Sequence, residues 1–350
     1  MKHVKFGIKE NHIFIMATMA LIVLLYGYGS IAFAGFFSTQ VFLNLFIDNA
    51  YLIIVATGLA FVIITGGIDL SVGALVAFIS MVSASLLEAG VNGYLVMALS
   101  LLIGIAFGAF QGYFIYRFDL HPWIVTLAGM FLARGASFLI STDSIVITND
   151  TYSAISQAKV YLIGDHYISI GAVVAIMVVA FAVYIAKWTR FGRNVYAIGG
   201  NVKSAALMGL PVKRTTILVY VFSGFCSALG GVVFTLYMLS GYGLHLLGME
   251  MDAIAACVIG GILLTGGFGY LIGPTLGVMS MGIIQTIIMF QGTLSSWWTK
   301  IAVGFLLFVF ILLQRLIVMK RRKRKVIRLK KVPSHVKVQS PSQSVSSEYK

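Results

Sequence analysis

The residues able to do chemistry are few and scattered through apolar sequence. Asp69 stands between Gly67 and Gly73, with Ser71 two positions on. Arg134 lies inside the run Gly129-Met130-Phe131-Leu132-Ala133-Arg134-Gly135, and Glu250 and Asp252 open another apolar stretch. An ionisable group in such surroundings is costly unless paired, and it often marks a functional path. A carboxylate beside a helix start has a plainer role, accepting hydrogen bonds from free backbone N–H groups. Both readings apply to Asp69 and Asp252. His121, before Pro122, and His245, in a loop, read as polar boundary residues. Cys226 and Cys257 sit in apolar runs without metal-ligand spacing and read as small core residues.

No catalytic constellation emerges from these groups. The sequence holds no nucleophile elbow and no histidine pattern for a metal. Gly199-Gly200-Asn201-Val202-Lys203-Ser204 resembles a phosphate loop only superficially, because no glycine directly precedes the lysine and no strand precedes the segment. Any ATP that drives this chain must therefore bind to another, and no cofactor is expected here. No series of acids and histidines crosses the apolar segments as a proton-coupled pump requires.

The elements that carry these residues are membrane helices. Of 350 residues, 59% are apolar and 10% charged, against about 25% charged in a soluble domain. Apolar segments cover about 13–33, 41–64, 70–87, 94–116, 123–140, 168–186, 216–240, 253–264, 270–290 and 297–313, which predicts about ten spans. Ala32-Phe33-Ala34 resembles a signal cleavage site, but the first apolar run is long for a signal core and reads as a retained helix. Lysine and arginine concentrate in 187–214 and again in 320–325, whereas 141–166 holds Asp143, Asp150 and Asp165 against Lys159 alone. The distribution predicts that both termini and the 187–214 loop are cytoplasmic and that 141–166 is outside. Residues 1–12 are then a cytoplasmic N-terminus and 13–319 the transmembrane domain, with a cytoplasmic loop over 187–215. Residues 320–350 form a basic tail without stable structure. The net charge of +14 is explained by anchoring beside anionic lipid, without nucleic acid.

Gly66-Gly67-Ile68-Asp69-Leu70-Ser71-Val72-Gly73 aligns with Gly260-Gly261-Ile262-Leu263-Leu264-Thr265-Gly266-Gly267. Glycine-broken segments at matching places in two halves point to a substrate path, and the expected fold is all-α with two pseudo-symmetric halves. Asp69, Ser71, Arg134 and Asp252 are the candidate path residues. In the cytoplasmic loop, Ser204–Gly209 predicts a short helix, capped by Ser204 or Asn201 and ended by Gly209 and Pro211. Its apolar Ala205, Leu207 and Met208 suit a groove on a partner, or else a loop lying on the membrane.

Four strings resemble the ribose-type family of ABC permeases: Gly66–Gly73, Ile124–Gly135, Arg190–Asn201, and Asp252–Ala256 leading to Gly260-Gly261. Their order agrees with the family over about 41–313. Phe290–Lys300 and Ile198–Met208 look most like the permeases of galactofuranose importers. Ile262 and Leu263 depart from the family, which often has smaller polar residues there, and the basic tail is longer than usual. The resemblance implies a non-enzymatic permease of a bacterial inner-membrane importer for a monosaccharide such as galactofuranose. It implies a separate ATP-binding subunit, an extracytoplasmic sugar-binding protein, and a second, related permease in a heterodimer. It places the ATPase contact around Gly199, Gly200, Asn201, Ser204, Ala205, Ala206, Met208 and Gly209. An importer of a nucleoside or another small polar metabolite is the nearest alternative; an ion-coupled secondary transporter is another.

Overall fold

A computed structural model describes residues 13–162, 165–295 and 297–330, with side chains described as far as 316. The chain is a helical bundle built around α3 (Ala50–Ile64), in which every residue except Tyr51 is buried. Its sequence is apolar on all sides, so it fits only where protein surrounds it completely. Thr57 keeps its hydroxyl satisfied by donating to Ile53 O, at 2.7 Å. Around α3 stand α8 (Ile170–Trp188), α11 (Val212–Met238), α12 (Met249–Ile259) and α13 (Gly273–Gln291), with α4 (Val72–Glu88) packed on α11 and α1 (Ile13–Ala32) on α13. Helices α5 (Gly93–Arg117), α6 (Pro122–Ile140) and α14 (Trp297–Lys330) complete the long elements. α1 belongs to the bundle: Phe14 and Thr18 are buried, and Thr18 Oγ1 donates to Ile259 O.

Among the described residues, seven helices are long and apolar enough to cross a membrane. α2 (Thr39–Asp48) and α3, bent by 56° at Asn49, pass the same test together and make an eighth where the pair is counted as one span. The two remaining apolar segments form shorter helices. α4 has 17 residues and α12 has 11. At about 1.5 Å per residue, α12 covers roughly half of a ~30 Å hydrocarbon layer. It starts four residues before the expected segment and stops at Ile259, because Gly261 turns the chain at φ +89°.

α3 and α12 end in the same Schellman motif. Gly66 N–H donates to Ile63 O and Gly67 N–H to Val62 O; Gly261 N–H donates to Val258 O and Ile262 N–H to Cys257 O. Gly66, at φ +87°, therefore corresponds to Gly261. The repeat is one residue out of the register that the glycine strings suggest, because Thr65 and Gly260 share the C-cap position. Each motif leads through a loop, 65–71 or 260–272, into the next helix, α4 or α13.

The segment expected as one polar loop after α6 has structure of its own. β1 (Ile145–Val146) pairs antiparallel with β4 (Ser240–Gly241), and α7 (Asp150–Gln157) precedes a hairpin of β2 (Lys159–Tyr161) and β3 (Tyr167–Ser169). The basic loop likewise folds, into α9 (Arg190–Gly200) and α10 (Val202–Leu207). α14 runs on through the basic run to Lys330, where a structureless tail was expected from 320; residues 1–12 and 331–350 lie outside the described residues.

α5 and α11 approach closely along a line of glycines. A Cβ at Gly104 would meet Ala228 and Gly224, one at Gly108 would meet the Tyr220 carbonyl, and one at Gly112 would meet Ile217. Small residues allow such backbone contact, which drives association where lipid is as apolar as the side chains. Gly108→Ala should lower the melting midpoint of the detergent-purified protein, since overpacking costs about 1–3 kcal/mol. Gly27→Ala, with nothing within 4 Å of its added carbon, should hold or raise that midpoint. An unchanged midpoint for Gly108→Ala would contradict the close contact.

Candidate functional site

The first glycine loop carries Asp69, which is 3% exposed. Its Oδ1 accepts from Ser71 N at 3.0 Å and Ser71 Oγ at 2.6 Å, and its Oδ2 accepts from Ser223 Oγ on α11 at 2.9 Å. Gln111 Nε2 on α5 donates to Ser71 Oγ at 3.0 Å, and Thr126 Oγ1 on α6 donates to Ile68 O at 3.2 Å. The carboxylate thus fixes Ser71, the residue before α4, and also ties the loop to α11. Three donors satisfy a charge that the apolar surroundings would otherwise penalise.

Arg134 holds a second crossover, the segment 239–248 that joins α11 to α12. Its guanidinium donates to Gly243 O and His245 O, both at 2.7 Å, and to Leu246 O at 3.2 Å. Beyond β4 this segment turns through left-handed residues at Leu246 and Gly248, so the carbonyls that Arg134 binds stand outside the β1–β4 ladder. The Arg134 hydrogen bonds go to backbone, and the charge of Glu250 also acts on the guanidinium. His245 lies between the rings of Phe234 and Tyr242, at 5.2 and 5.6 Å. Burial holds its imidazole below the ordinary value, and the Arg134 charge adds in the same direction.

Asp252 sits in the first turn of α12 and pairs with Lys300 Nζ at 2.5 Å. The pair borders a cavity of about 400 Å³, also lined by Asn49, Tyr51, Gln285 and Trp297. Asp69 with Ser71, Arg134, and Asp252 therefore occupy three separate arrangements. Lys300 was missed as a partner. Its signal was a lysine one residue-turn inside an apolar helix, where an unpaired ammonium is costly.

At the opposite end, three glycine pairs meet. Gly267 N–H donates to Ile64 O at 2.8 Å, joining the second loop to the end of α3. Gly199 of α9 packs so tightly here that a Cβ would overlap Ile64 O and Gly267 N, and one at Gly266 would meet Gly66. Tyr196 Oη donates to Gly269 O at 2.7 Å, fastening α9 to the same loop. The short helix α10 follows, with Asn201 Oδ1 accepting from Ser204 N at 2.8 Å, so Asn201 rather than Ser204 is the cap. Gly209 turns the chain at φ +74°. Ala205 is buried, whereas Leu207 is 90% and Met208 68% exposed. Beside them lies a groove of about 580 Å³ lined by Tyr116, Ala206, Leu210 and Arg214. Among the described residues no group of His, Cys, Asp and Glu is arranged to hold a metal.

The family profile described as "Branched-chain amino acid transport system / permease component" matches residues 41–312. The chain is 47% identical over 302 residues to the inner membrane ABC transporter permease protein YjfF of Escherichia coli, covering 86% of this chain and 91% of that protein. It is 40% identical to the fructose import permease protein FruG of Bifidobacterium longum, covering 86% and 90%. It is 34% identical to the ribose import permease protein RbsC of Haemophilus influenzae, covering 79% and 85%. No solved structure matches the chain. With these relatives aligned over nearly their full length on a bundle of membrane helices, the chain belongs to the ribose-type family of sugar ABC transporter permeases and is a transport subunit, not an enzyme.

Proposed function

We propose that this chain carries a monosaccharide across the bacterial inner membrane in partnership with an ATP-binding subunit, an extracytoplasmic sugar-binding protein and a second, related permease. The observation that carries the reading is the seating of α9 on the end of α3 and on the second glycine loop. A subunit that moves α9 and α10 acts directly on the end of α3 and on the second glycine loop, with no flexible side chain between. Transport is then a two-state equilibrium of the loop packing, biased by partners at the two faces.

The exposed Leu207 and Met208, beside the groove, suit an apolar contact on the ATP-binding subunit. The basic residues Lys187, Arg190, Arg193, Lys203, Lys213 and Arg214 around them support a cytoplasmic placement. The acidic segment 141–166 is then on the outer face, with α7 and the β2–β3 hairpin available to the binding protein. Asp69 and Arg134 act in this reading by holding the crossovers in register. The cargo we assign is a furanose-form sugar such as galactofuranose, on the likeness of Phe290–Lys300 and Ile198–Met208. The named cargoes of the relatives, fructose and ribose, support the sugar class.

Affinity purification of the tagged chain in mild detergent should recover an ATP-binding subunit and a second permease. Recovery of the chain alone, from membranes whose sugar uptake survives loss of ATP hydrolysis, would overturn the assignment. Leu207→Glu or Met208→Glu should weaken recovery of the ATP-binding subunit. A buried, unpaired carboxylate costs about 3 kcal/mol, roughly a hundredfold in affinity. The melting midpoint should not change, because both side chains are exposed in the isolated chain. Normal uptake and normal stimulated ATPase activity in these variants would remove α10 from the contact.

A further inference from the structure

The cavity beside Asp252 has no part in the packing described so far. It lies between the starts of α3, α12 and α14 and the body of α13. Its volume of about 400 Å³ falls within the ~300–1,000 Å³ typical of small-molecule sites. The wall is largely apolar, with Leu52, Met281 and Ile288, and its polar groups converge from four helices or their junctions. Asn49 comes from the α2–α3 bend, Asp252 from α12, Gln285 from α13 and Lys300 from α14.

These groups share a chemical character. The Asp252 carboxylate and Lys300 ammonium cancel in charge, so the site favours a neutral ligand over an anion or a cation. Asn49 is fixed through Nδ2 to Leu45 O at 3.0 Å, which leaves Oδ1 as its open acceptor. Gly282 makes this possible, since a Cβ there would meet Asn49 Nδ2. Carboxylate, ammonium and amides together supply both donors and acceptors, as several hydroxyls on one small molecule require. Trp297, 75% exposed, adds a flat apolar face for the C–H side of a ring. The Lys300 and Asp252 side chains are 50% and 21% exposed. A pair so open to water is held weakly, and each member can exchange the other for a ligand hydroxyl.

We infer that this cavity is a binding site for a neutral, saccharide-sized polyhydroxy compound, which hydrogen-bonds Asp252, Lys300, Asn49 and Gln285 and stacks on Trp297. Its place on a transport route rests on the importer reading above; the binding itself does not. Occupancy at Asp252 would also be felt by the second glycine loop, because α12 joins them as one short rigid helix.

The test uses the full-length chain in membrane vesicles with Met289→Cys, an exposed lining residue outside the hydrogen-bonding set, labelled by a maleimide. The native thiols, Cys226 and Cys257, are both buried, so the unsubstituted chain provides the background. The probes are methyl β-D-galactofuranoside, D-fructose and D-ribose, with gluconate and glucosamine as charged comparators. At least one neutral sugar should slow labelling, by about tenfold at ten times its dissociation constant, and the charged compounds should not. Lys300→Met or Trp297→Leu should abolish the protection. Unprotected labelling by all three sugars in vesicles that take one of them up with ATP would overturn the site. Protection that persists in both variants would also overturn it. Protection without ATP-driven uptake would keep the site and defeat the importer reading, and the absence of both would defeat the two together.

Discussion

A helix that stops where protein buries its end, as at Ile64 and Ile259, leaves its last carbonyls and the next helix's first amides without water. Each costs several kcal/mol unless protein supplies a partner. α3 and α12 both stop in this way, and the rest of the bundle is arranged around completing them. The Schellman turns at Gly66 and Gly261 satisfy the carbonyls nearest each end. Ile64 O takes the amide of Gly267 from the other half of the repeat. Asp69 fixes Ser71, the residue before α4. Neither broken segment is complete alone; each draws a partner from the other or from a surrounding helix.

The same requirement explains the buried charges. Asp69 is matched by hydroxyls and an amide, and Arg134 by three carbonyls of a crossover that stand outside the β1–β4 ladder. In both cases a charge substitutes for regular backbone pairing. Asp252 and Lys300 differ, because they neutralise one another at the edge of open space. That contrast separates groups that hold the scaffold from groups left available to a ligand.

Much of the bundle is legible in the sequence, because hydropathy reports the solvent that surrounds a segment. The long helices fall where apolar runs predict them, and the glycine strings mark the two broken places. The Asn201 cap and Gly209 stop follow from local hydrogen-bonding rules. What escapes such reading depends on contacts between distant elements. The bend at Asn49 needs Gly282 opposite it, and the seating of Gly199 needs two loops that approach from far along the chain. The carbonyls bound by Arg134 carry no side-chain signature at all. The one-residue offset of the repeat arises because glycine at a C-cap and glycine at the turn after it look alike in a string. Asp69 and Asp252 were paired by residue type, yet only Asp252 has a salt-bridge partner, at Lys300 in a helix remote in sequence.

The brevity of α12 bears on how the chain is made. With 11 residues it is too short to be recognised as a span on leaving the ribosome, since a span needs about 20. Its terminal carbonyls have no partner until the turn at Gly261 forms. Insertion of α12 must therefore wait for the apolar α13 behind it, and the two enter as a hairpin against α3, already in place. Assembly of this half is thus vectorial, and a chain halted between Ile259 and Gly273 would leave the nascent hairpin outside the lipid.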